Sequence, residues 1–100
     1  MTGNAIVALR LADTDNVASI FTDVKAGVAV SVKDRKGGTS EIVSKSDIPY
    51  GHKIAVCPIR KGEPIIKYGE EIGLASTPIK VGEHVHVHNV ESNRGRGDRK

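Results

Sequence analysis

Apolar positions along this chain come in short aliphatic runs, each broken within a few residues by glycine, proline or a turn-forming polar cluster. Residues 5–11 (Ala-Ile-Val-Ala-Leu-Arg-Leu) form the first run and predict a strand. Asp13-Thr14-Asp15-Asn16 follows, a cluster whose side chains cap helices or close turns. The next apolar stretch, residues 16–21, therefore reads as a short helix. Residues 28–32 and 40–43 flank Asp34-Arg35-Lys36-Gly37-Gly38 as the two arms of a hairpin. Residues 54–56 make another short strand, and residues 68–73 a glycine-punctuated bend. Beyond Asn89 the apolar pattern stops, and Arg94-Gly95-Arg96-Gly97-Asp98 has the composition of a linker or flexible end.

A local device recurs within this pattern. Val24-Lys25-Ala26-Gly27, Ile59-Arg60-Lys61-Gly62 and Ile79-Lys80-Val81-Gly82 each run aliphatic, basic, spacer, glycine, and then return to an aliphatic residue. Glycine takes positive φ at low cost, so each copy predicts a tight turn feeding a new strand. The uneven spacing argues against a solenoid. Many short strands and glycine turns predict a mostly β fold, one small domain over residues 1–92 with at most one short helix, followed by a basic tail at 93–100.

Composition sharpens this. One hundred residues suffice for one core. With only Phe21, Tyr50 and Tyr68 as aromatics, that core must be aliphatic, and its Val and Ile favour strands. The lone Cys57 excludes an internal disulfide and reads as a small buried residue beside Pro58; a reducing, cytoplasmic setting follows as the default. No apolar run approaches bilayer length, so no membrane is expected. The net charge of +3 comes largely from the tail, and a body with so few aromatics is poorly equipped to stack bases, which disfavours nucleic acid as a partner. No nucleotide-binding glycine loop or nucleophile elbow is present.

Candidate chemistry concentrates in Gly82-Glu83-His84-Val85-His86-Val87-His88-Asn89. On a strand, alternation would put His84, His86 and His88 on one face. Same-face neighbours lie nearly 7 Å apart at a rise of ~3.3 Å per residue, so two could share a metal while three on a straight strand would struggle. A bulge, or a ligand from elsewhere such as His52 or Glu83, would help. Metal binding, contact with a substrate or subunit, and a plain polar sheet face all remain open on spacing alone. Imidazole also shuttles protons near neutral pH. Ile48-Pro49-Tyr50-Gly51-His52-Lys53 delivers two basic groups from a constrained turn, a way to present cations to a carboxylate, and Lys67-Tyr68-Gly69-Glu70 places another cation beside a bend.

Taken together, residues 48–55, 61–70, Ile72-Gly73 and 81–89, with Asp15-Asn16-Val17 near the start and the 91–98 segment at the end, resemble the SAF-type N-terminal domain of the altronate/galactarate dehydratase family. The resemblance implies a β-clip fold. It also implies a lyase that removes water from a sugar acid to give a 2-keto-3-deoxy acid, using a divalent metal, iron or manganese, held by histidines of this domain or mainly by a large subunit. The chain stops where the resemblance places the start of the large catalytic region. The expected role is that of a small subunit or N-terminal domain, inactive alone, with a large dehydratase subunit and a sugar-acid substrate as partners and a homo-oligomer also compatible. The small subunit of sulfolactate sulfo-lyase is a close look-alike; the tail favours the sugar acid. A stand-alone metal- or anion-binding module is the alternative. By position, the resemblance implies His84, His86 and His88 as proton-transfer groups, His52, Lys53, Lys67, Tyr68 and Asn89 as substrate contacts, and His86 with His88 as candidate metal ligands.

Overall fold

The computed structural model describes residues 6–92, and among them every regular element is a strand. Strands β1 (Ile6–Leu9), β2 (Val17–Ile20), β3 (Ala29–Lys33), β4 (Thr39–Val43), β5 (Lys53–Ala55) and β8 (His84–Val85) form one sheet in the order β4-β3-β1-β2-β5-β8. Strands β6 (Pro64–Lys67), β7 (Glu70–Ala75) and β9 (Val90–Glu91) form a second. All pairings are antiparallel except β1 with β3. The fold is thus mostly β, and the hairpin expected around Asp34–Gly38 is β3–β4. The tail at 93–100 lies outside the described residues.

The helix expected over residues 16–21 is instead β2. Asp15 does not cap forwards: its Oδ2 accepts the N–H groups of Leu11 and Ala12, both earlier in the chain, and its Oδ1 accepts that of Gly69. Freed from a cap, Val17, Ala18, Ser19 and Ile20 run between β1 and β5, and all four are buried. Such a doubly covered strand shows no alternation, which is why its short apolar run was indistinguishable from a helical turn. Asn16 ties the two sheets together, its Oδ1 accepting Ile66 N–H (2.7 Å) and its Nδ2 donating to Pro64 O (2.8 Å).

The repeated turn device organises the rest. Val24, Ile48, Ile59 and Ile79 are all buried, and the glycine three residues after each has φ of 89°, 86°, 89° and 91°. Val24 and Ile48 exchange N–H···O bonds of 2.8 and 2.7 Å, and Ile59 and Ile79 do so at 2.9 and 2.8 Å. The glycine N–H groups then reach across each pair, Gly27 to Ser44 O and Gly51 to Ile20 O, Gly62 to Ala75 O and Gly82 to Ala55 O. The device therefore occurs four times, as two mutually clasped pairs. Its fourth copy, Ile48-Pro49-Tyr50-Gly51, escaped the sequence pattern because proline replaces the basic residue.

Two aliphatic clusters fill the interior, one around Ala18, Ile20, Val30, Ile48 and Ile54, the other around Val17, Ala55, Ile59, Ile65, Ile79 and Val85. Strands β2 and β5 feed both, sending alternate side chains each way. Phe21, Tyr50 and Tyr68 stay at least partly outside, as an aliphatic core requires. Cys57 is half-buried rather than buried, and that burial pushes its thiol pKa up, away from reactivity.

Candidate functional site

The site is assembled where β5 meets β8, the edge strand of the larger sheet. Their register pairs Lys53 with Val85 and Ile54 with His84, so continuing one step past the strands sets His52 opposite His86. The His52 and His86 rings accordingly stack, centroids 3.7 Å apart and planes 13° from parallel. His52 Nδ1 lies 2.8 Å from His84 Nε2, a distance at which one ring donates and the other accepts. His88 leans on His84 from the other side, 4.9 Å between centroids at 38°.

The expected straight strand of alternating histidines is not what places them. β8 ends at Val85, and residues 86–89 turn. Asn89 causes the turn: its Oδ1 accepts His86 N–H (3.0 Å), its Nδ2 donates to His84 O (2.9 Å), and its own N–H donates to His86 O (3.1 Å). Only 4% exposed, Asn89 has its side chain committed to this turn. Ser46 Oγ accepts His84 N–H, and His52 is held through its own N–H to Pro49 O and its carbonyl to Ile20 N–H. The backbone under His52, His84 and His86 is thereby fixed from three directions.

His84 is the most perturbed group. Burial pushes its pKa down, and the neighbouring His88, His52, His86 and Lys53 push it further, to about 4, so it is neutral at pH 7. His86 is lowered as well, by its own burial and then by His52, Lys53 and His88. Lys53 is lowered by burial and by the charge of Lys67. The Lys67 ammonium sits 5.1 Å from the Tyr68 ring centroid, and Tyr68 Oη donates to Ser19 Oγ at 2.9 Å. Tyr68 takes φ of 53°, uncommon for a residue with a Cβ, because Asp15 holds the next N–H, that of Gly69. Burial raises the Asp15 carboxyl, but the N–H groups of Gly69, Ala12, Tyr68 and Leu11 outweigh that and leave its pKa below the usual value.

Of the residues singled out from sequence, His52, Lys53, His84, His86 and His88 converge at this edge. Lys67 and Tyr68 approach from the second sheet. Glu83 lines the cleft beside His84 and His88, with its carboxylate accepting the Lys80 N–H. Sequence reasoning missed Ser19 and Ser46. Ser19 carried a readable signal, a hydroxyl inside an otherwise apolar run; Ser46 carried none.

The histidines stand between two shallow clefts. One, of about 260 Å³, is lined by Lys53, Ile72, His86, Val87, Val90 and Ser92. The other, of about 300 Å³, includes Lys45, Ser46, His84, His88 and Asn89. Ligand nitrogens of His52, His84 and His86 all lie within 4.8 Å of one another, and such a set of imidazoles fits a divalent first-row metal by donor type. The cluster can therefore hold a cation, pass a proton between rings, or present Lys53 to an anion.

Residues 6–93 match the altronate/galactarate dehydratase SAF domain. The chain is 39% identical over 85 residues to altronate dehydratase of Bacillus subtilis (strain 168), covering 85% of this chain and 16% of the relative. It is 38% identical over 79 residues to galactarate dehydratase (L-threo-forming) of Escherichia coli (strain K12), covering 77% and 14%. Against the (2R)-sulfolactate sulfo-lyase subunit alpha of Paracoccus pantotrophus it is 43% identical over 53 residues, 53% of this chain and 79% of that subunit. The chain thus spans about a sixth of the altronate dehydratases it matches and most of the Paracoccus subunit. No helix among the described residues is long and apolar enough to cross a membrane.

Proposed function

Since the chain belongs to the altronate/galactarate dehydratase SAF-domain family, we propose that it serves as the small subunit or N-terminal domain of a cytoplasmic sugar-acid dehydratase, lending side chains to a site completed by a large catalytic partner. The observation that carries this reading is the convergence of His52 and Lys53 with His84 and His86 through the β5–β8 register. Both clefts beside them are shallow. A second surface closing over them would exclude water, strengthening every charge interaction inside.

The chemistry is removal of water from altronate or galactarate. A base takes the proton on the carbon next to the carboxylate, and the hydroxyl on the following carbon leaves with a proton as water. The resulting enol becomes the 2-keto-3-deoxy acid. Lys53 and Lys67 suit the carboxylate groups, since each brings a cation that binding an anion would stabilise. Held neutral at pH 7 and set 2.8 Å from His52, His84 suits offering a ring nitrogen to a metal or a hydrogen bond rather than acting as the base, since a pKa of about 4 makes it a weak one. A bound divalent iron or manganese would supply the positive charge against which enolate character develops. Tyr68 fixes Lys67, and Asn89 fixes the histidine turn.

The test is reconstitution. The chain combined with its large partner should dehydrate altronate or galactarate while the chain alone does not, and Lys53→Ala should raise KM for the sugar acid. No dehydration by the pair under anaerobic, metal-replete conditions would end this reading. A second reading has its own support, because the chain covers 79% of a separate sulfo-lyase subunit. Under it, the same pair would release sulfite from sulfolactate, so assaying both products decides between them.

A further inference from the structure

We propose that His52, His84 and His86 together bind one divalent first-row metal ion, leaving coordination positions open towards the cleft that holds Lys53. The catalytic meaning of this site rests on the dehydratase reading, but its ligand set is argued from the geometry of this chain alone. Metal–nitrogen bonds of about 2.0–2.1 Å put ligating nitrogens roughly 2.9–3.4 Å apart. His52 Nδ1 and His84 Nε2 already stand at 2.8 Å, and the full set spans no more than 4.8 Å. Bringing the third nitrogen onto such a centre requires the stacked His52 and His86 rings to turn about their side-chain torsions until their in-plane lone pairs meet at one point.

The three ligands come from the turn before β5 and from β8 with the turn after it, and both are pinned independently of any metal. Asn89 and Ser46 hold the backbone of His84 and His86, and Pro49 and Ile20 hold that of His52. A site whose backbone is fixed in advance has only side-chain rotations left to settle on loading. Three protein nitrogens on a partly exposed edge leave room for outside oxygen ligands, the arrangement of a catalytic rather than a structural metal centre. His86 and Lys53 line the same cleft, so an anion reaching the metal from that side meets the Lys53 ammonium. His88 falls outside the set. It is exposed and contacts His84 by a tilted ring face. The proposed set thus differs from the His86–His88 pair that the family resemblance implies.

The experiment titrates tag-free chain with Co²⁺ under anaerobic conditions, following visible d–d bands and the heat of binding. The expected result is one Co²⁺ per chain. His52→Ala, His84→Ala and His86→Ala should each weaken binding about 100-fold or more, and His88→Ala less than about 3-fold. Gln variants at the same three positions keep side-chain bulk, and far-UV circular dichroism separates loss of ligand from loss of fold. A folded wild-type chain with no Co²⁺ bands, or an His88→Ala variant as weak as the other three, would overturn the assignment. Dehydration by the assembled enzyme without Co²⁺ binding here would leave the dehydratase reading standing and remove this one. Tight Co²⁺ binding by a chain whose assembly is inactive would do the reverse.

Discussion

Gly27 and Gly82 occupy equivalent places in two copies of the same turn, with φ of 89° and 91°, yet their surroundings differ. A Cβ on Gly27 would meet nothing within 4 Å, whereas one on Gly82 would lie 2.4 Å from the Val43 carbonyl oxygen and 3.3 Å from Lys45 Cγ. Replacing each by alanine imposes the same left-handed strain, about 1–2 kcal/mol. Reduced freedom of the unfolded chain offsets about 0.4–1 kcal/mol of that in both. Gly27→Ala should then cost about 1 kcal/mol. At Gly82 the backbone oxygen cannot swing aside as a side chain would, so overpacking adds about 1–3 kcal/mol. The Gly82 carbonyl also accepts Lys45 N–H at 2.8 Å, so a shift there strains a second bond. Gly82→Ala should total about 2–4 kcal/mol. At about 4–8 °C per kcal/mol for a domain of this size, thermal unfolding followed by circular dichroism should show a drop of roughly 5 °C for Gly27→Ala and roughly 15 °C or more for Gly82→Ala. Equal drops would mean that only φ matters and that the β4 end does not approach this turn as closely as described.

Asp15→Asn removes one of two acceptor oxygens, stranding either Gly69 N–H or the Leu11 and Ala12 pair. It should cost about 2–3 kcal/mol by urea unfolding at pH 7. Because the folded-state pKa of Asp15 is lowered, its contribution is fully present above the unfolded value of about 3.9 and is lost as pH falls through the folded value. The gap between wild type and variant should therefore narrow below about pH 4; a gap constant down to pH 2 would contradict it. Asn89→Ala deletes both bonds holding the histidine turn and should cost about 2–3 kcal/mol, with hydrogen exchange at His86 N–H accelerated; unchanged protection there would show that the turn stands without it. Tyr68→Phe loses only the Ser19 bond and should cost about 1 kcal/mol, with KM for the sugar acid rising if Lys67 loses its support. Ile54→Ala, at a residue with no exposure, should cost about 2–5 kcal/mol by the same urea assay; a loss under 1 kcal/mol would place Ile54 outside the core.

What the sequence alone determined about this protein is whatever depends on local chemistry. The Lys-rich glycine turns, the β3–β4 hairpin and the aliphatic core could be read because φ preference, turn residues and β-branching act within a few positions. The family could be read because its motifs keep order and spacing. The histidine-rich segment was visible too, and His52 could be named, with Glu83, as a residue able to join it. Tertiary structure decided the rest. Val17–Ile20 became a strand because β1 and β5 pair with its two edges while the two aliphatic clusters bury both its faces, a burial that no four-residue window reveals. The last histidines left the strand because buried Asn89 folds back onto His84 and His86. The cluster itself exists because β5 and β8, about thirty residues apart in the chain, pair in one register. A shift of a single residue would turn His52 and His86 to opposite faces of the sheet.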